Sequence, residues 1–171
     1  MKGALYILLG WALLVVQSTA VSYGAAGLPQ PDLLLIVMIY LGFTTRPQVG
    51  LPLALTYGYL LDLFIGGIAG AYLLQYASLY FLCWALRGRL RMSSRLAQAA
   101  VVFSFTALGA LELKIVARAM GVPETAVGAV GLGLLLRGVF NAALGLLIFP
   151  ALVRLDRRLW PRAGRLSMDL G

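Results

Sequence analysis

Six apolar runs, at about residues 4–23, 31–45, 48–65, 69–86, 96–120 and 126–153, fill most of this chain and are separated by short segments carrying Gly, Pro and Arg. In hydrocarbon no water is available to backbone N–H and C=O groups, so runs of this kind close their hydrogen bonds internally, as helices. About 20 such residues cross a hydrocarbon core of roughly 30 Å. The chain is 61% hydrophobic and 12% charged, where soluble domains carry about 25% charged residues. The sequence therefore predicts an all-α polytopic membrane protein, with residues 1–171 forming a single six-helix transmembrane domain.

The first run carries a basic start at Lys2, an apolar stretch and a small-residue Ser18-Thr19-Ala20 segment, which is a signal-peptide pattern. Its apolar stretch is longer than a usual signal core and resumes after Gln17, so it reads as an uncleaved first helix. The second run opens with Pro31 and Asp32, a tolerated first-turn proline and an acid near the positive end of the helix dipole. That run spans only about 21 Å, which requires packing among the other helices.

Charge placement sets the orientation. With the amino terminus cytoplasmic, the inner side collects Lys2, Arg46, Arg87, Arg89, Arg91, Arg95, Arg154, Arg157, Arg158, Arg162 and Arg165, and the remaining Lys114, Arg118 and Arg137 lie within runs. The positive-inside rule then predicts N-in, C-in, with 154–171 as a basic cytoplasmic tail. The net charge of +8 answers to membrane insertion and anionic lipid rather than nucleic acid. With no His, a single Cys83 and no Gly-rich phosphate loop, an enzyme, a metal and a cofactor are not expected.

Charged residues within the runs are the candidate functional positions, because Asp at mid-helix costs roughly 2.5 to 3.5 kcal/mol on insertion scales. Asp62 lies on a four-residue repeat of small residues, Gly50, Ala54, Gly58 and Gly66. Such a stripe admits close approach of another helix, and is expected either to receive a partner's membrane helix or to hold a cavity wall against helices five and six of this chain. Glu112 and Arg137 sit at matching depth, roughly 14 Å below the outer ends, and are expected to pair, with Asn141 one turn deeper on the Arg137 face. Lys114 points about 200° away from Glu112 and is read either as a snorkelling side chain or as a member, with Asp62, Glu112, Arg137 and Asn141, of a polar cluster facing a partner or cavity. Tyr72, Tyr76, Tyr80 and Trp84 recur every fourth residue as a bulky packing face whose hydroxyls seek a partner such as Asp62.

Three segments together resemble the MreD family of rod shape-determining membrane proteins: Pro31-Asp32-Leu33-Leu34-Leu35, Arg46-Pro47 with Gly50, and Gly58 through Asp62-Leu63 followed by Gly66-Gly67 and Gly70. The resemblance implies a non-catalytic scaffold of the bacterial inner (cytoplasmic) membrane, part of the cell-elongation machinery that supports peptidoglycan synthesis. It implies MreC as the binding partner, with RodA, a class B penicillin-binding transpeptidase and MreB in the wider complex. It also implies a fold similar to the S components of energy-coupling-factor transporters, and hence an outward cavity. The alternatives are a small-molecule, vitamin-like binding subunit of a transporter, and a homo-oligomeric lipid-binding scaffold.

Overall fold

A computed structural model describes residues 2–23, 31–90, 94–122 and 131–159. They form six helices, α1 (Lys2–Tyr23), α2 (Leu33–Thr44), α3 (Pro47–Ile65), α4 (Ala71–Leu86), α5 (Arg95–Ala119) and α6 (Leu132–Leu159), and no strand occurs among the described residues. Three of them, α3, α5 and α6, are long and apolar enough to cross a membrane. Large apolar side chains such as Leu8, Val15, Leu63, Ile115, Leu132 and Leu147 face outward, as lipid solvation permits.

The bundle is organised around its shortest helix. α2 has 12 residues, about 18 Å of rise, and its sequence is apolar on every side. A helix of that pattern belongs in an interior. Leu34 through Gly42 are all buried, and α2 touches each of the other five helices. At its carboxyl end Thr44 and Thr45 donate their hydroxyls to the carbonyls of Tyr40 and Leu41 at 2.7 and 2.5 Å. Thr45 and Arg46 then run extended into Pro47, the first residue of α3.

The most extensive helix pairs are α3 with α4 and α5 with α6. The α3–α4 turn needs left-handed backbone at Gly66, Gly67 and Gly70 (φ 71, 96 and 84°), with open space around each. Gly58 is required by proximity, since a Cβ there would sit 2.5 Å from Leu73 Cα and 2.7 Å from the Tyr72 carbonyl. Gly50 lies against Tyr80 and Thr45, and Ala54 is buried. Gly50 and Gly58 of the small-residue stripe thus seat α4 within the chain.

The limits of α1 to α5 lie within two residues of the expected spans, and the end of α6 lies further out. α4 begins at Ala71 rather than 69, because the positive-φ glycines extend the turn. α6 does not stop at 153 but runs to Leu159, because Asp156 is engaged by the bundle. The expected start of the sixth span at 126 and the tail beyond 159 lie outside the described residues.

Gly58→Leu is expected to destabilise the fold by about 3 kcal/mol or more, since the added atoms meet α4 backbone that cannot swing aside. Gly3→Ala, with nothing near its Cβ, should leave it intact. Unfolding followed by intrinsic fluorescence in detergent compares the two.

Candidate functional site

Starting α2 inside the bundle leaves its first N–H groups away from water, where each needs a partner. Asp32 supplies the N-cap, its Oδ1 accepting from the Leu35 N–H at 3.1 Å. The Leu33 N–H donates to Gln17 Oε1 of α1 at 3.1 Å, and the Asp32 N–H to Asn141 Oδ1 of α6 at 3.0 Å.

The Asp32 carboxylate then gathers donors from two other helices. The Tyr76 hydroxyl of α4 donates to Oδ1 at 3.1 Å. Arg137 of α6 forms an ion pair with Oδ2, Nη2 at 3.0 Å. Asn141, fully buried, donates through Nδ2 to Thr106 of α5 at 3.3 Å, and Thr106 donates to the Val102 carbonyl at 2.8 Å. One buried group therefore links α1, α2, α4, α5 and α6. The Asp32 side chain is 7% exposed and Arg137 24%, so the pair is shielded from solvent while the guanidinium reaches the rim of the cluster. No group of three or more metal-capable side chains occurs among the described residues.

The expected Glu112–Arg137 pair does not form. Arg137 turns to Asp32, and Glu112 accepts instead from the Ser78 hydroxyl of α4, at 2.7 and 2.8 Å to its two oxygens. Equal depth fixes height along the bundle but not direction, and α5 turns Glu112 toward α4. Asn141 does lie one turn from Arg137, joined to it through Asp32. Lys114 is half-buried and enters neither group.

Asp62 stands apart from the cluster. Its two oxygens accept the Tyr72 and Leu73 N–H groups at 3.0 and 3.1 Å, so it caps α4 across the turn, at the positive end of that helix. Tyr76, expected to seek a carboxylate such as Asp62, meets Asp32. Pro31 and Asp32 open α2, while Gly66, Gly67 and Gly70 shape the turn that lets Asp62 reach α4.

A second carboxylate cluster was not anticipated. Tyr6 of α1 and Tyr40 of α2 donate to the two oxygens of Asp156, each at 2.9 Å, and Tyr57 of α3 donates to the Tyr6 carbonyl at 2.6 Å. The available signal was Asp156 itself, an acid inside the basic segment Arg154 to Arg158, which a solvated tail does not require.

Asp32→Asn or Arg137→Gln alone is expected to cost about 3 kcal/mol or more, because each leaves its partner buried and uncompensated. The double substitution should cost clearly less than the sum. A double-mutant cycle on detergent unfolding midpoints measures the coupling.

A family model described as rod shape-determining protein MreD matches residues 2–154. Comparison with curated proteins and with solved structures returned no match. The matched region takes in the helices α1 to α5, most of α6, and the Asp32 cluster whole. This chain belongs to the MreD family of rod shape-determining membrane proteins.

Proposed function

We propose that the chain is a non-catalytic scaffold of the bacterial cell-elongation machinery, residing in the inner membrane and binding MreC to support peptidoglycan synthesis and rod shape. The observation that carries this reading is the family match over residues 2–154. It is supported by the chemistry of two carboxylates, one buried and one half-buried. Asp32 and Asp62 are occupied by donors of their own chain and hold helices in place. RodA, a class B penicillin-binding transpeptidase and MreB belong to the wider complex in this reading.

The proposed topology has six spans with both termini cytoplasmic. Arg46 lies at the α2–α3 turn, Arg87, Arg89 and Arg95 flank the α4–α5 connection, and Arg154, Arg157 and Arg158 fall at the end of α6. A single basic face at those three places agrees with the positive-inside rule.

A second reading, a vitamin-like small-molecule binder with a fold similar to energy-coupling-factor S components, is favoured by two buried polar atoms. Gln75 Oε1 and Arg137 Nε have no hydrogen-bond partner among the described residues. A thermal shift with any member of a vitamin panel would support it over the scaffold.

In the scaffold reading, co-expressed MreC copurifies with the chain in mild detergent, and the chain restores rod shape to cells depleted of their own family member. Asp62→Ala should lower thermal stability, through loss of the α4 cap, by about 1 kcal/mol or more, while the folded fraction still recovers MreC in full. Wild-type protein that is folded yet recovers no MreC would sink the proposal.

A further inference from the structure

Between α4 and α5 lies a groove of about 240 Å³ lined by Ser78, Leu79, Leu82, Leu108, Leu111, Glu112 and Ile115. The lining positions follow helical spacing on both walls, and its rim residues Leu82, Leu108, Leu111 and Ile115 are exposed on the apolar exterior. Glu112 lies seven residues before the end of α5 and Ser78 seven residues after the start of α4. Both therefore sit about 10 Å inside the helix ends, in the hydrocarbon of the proposed topology.

The donors available there do not match the acceptors. The Ser78 oxygen stands 2.7 and 2.8 Å from the two Glu112 oxygens and 2.9 Å from the Gln75 carbonyl, yet a hydroxyl has one hydrogen. Both oxygens of the Glu112 carboxyl face that single hydroxyl, and each carries lone pairs. The remaining groove residues are hydrocarbon, and among the described residues no Lys or Arg pairs with Glu112. Asp32 and Asp62 draw at least two donors each; Glu112 has a share of one.

We infer that this groove is the docking site for a partner's transmembrane helix that presents a hydrogen-bond-donating side chain, basic or amide, to Glu112. The inference rests on the scaffold reading and deepens it by placing the partner's seat on α4 and α5 rather than on the α3 stripe. A helix supplies both things the groove lacks: apolar ridges for the rim and a donor at depth. An acyl chain supplies only the first. A symmetric copy of the chain would set Glu112 against Glu112 and bring no basic or amide donor to it.

The test is site-specific photo-crosslinking of the full-length chain with co-expressed MreC, with the photoreactive residue at position 111 or 115, or at the exposed control positions 135 and 139 of α6. MreC adducts are expected at 111 and 115 and not at the controls. Glu112→Gln, keeping shape and fold, should lower the position-115 adduct about threefold to tenfold, as for loss of one interhelical polar contact. Leu111→Trp, filling the groove from its exposed rim, should lower it likewise. Adducts at the α6 controls alone overturn the inference and leave the scaffold reading standing. Adducts unchanged by Glu112→Gln, or formed only with lipid or a second copy, also overturn it. Absence of adducts together with absence of copurification overturns both.

Discussion

The structure depends on bringing the amino end of α2 into the bundle without leaving its polar groups unanswered. Hydrocarbon offers no hydrogen bonds, and a charged side chain there is costly unless paired. Asp32 meets both demands at once. It caps the helix through Oδ1 and takes Tyr76 and Arg137 on its carboxylate, while its own N–H goes to Asn141. With that end secured, the apolar body of α2 can lie at the centre and every other helix can pack on it.

The same device recurs with different geometry. Asp62 is an acid from one helix that caps the next, which ties the α3–α4 turn to the close approach at Gly58. Asp156 accepts two tyrosine hydroxyls and draws the end of α6 onto α1 and α2. In each case the carboxylate joins elements that hydrophobic burial alone would not orient, since lipid tails are as apolar as the helix faces. Gly58 complements this by letting α3 and α4 close to backbone distance, and Gly10, Gly50, Gly109 and Gly138 by admitting side chains of neighbouring helices.

The helical class and the order of the six helices were legible because apolar runs and turn residues alone determine them. The importance of Asp32 was legible only as a motif. Its role as a hub requires knowing that α2 starts inside the bundle, and that follows from packing with residues more than 100 positions away. The Glu112–Arg137 expectation failed for a related reason: spacing along two helices sets their relative height, while the rotation of each is decided by its neighbours. Asp156 was hidden among arginines, where a local reading sees a solvated basic segment. The small-residue stripe was expected to meet a partner's helix or helices five and six; at Gly50 and Gly58 it is α4 that lies against it, because the short glycine turn after α3 folds the next helix straight back.

The long separations within the Asp32 cluster bear on how the chain is made. Arg137 and Asn141 follow Asp32 by 105 and 109 residues, which is roughly 5 to 20 s of synthesis at ~5–20 residues per second. Throughout that interval the amino end of α2 has Gln17 and then Tyr76 as partners but lacks the guanidinium and the amide that complete the cluster. A chain that stops before α6 therefore holds Asp32 without its counter-ion.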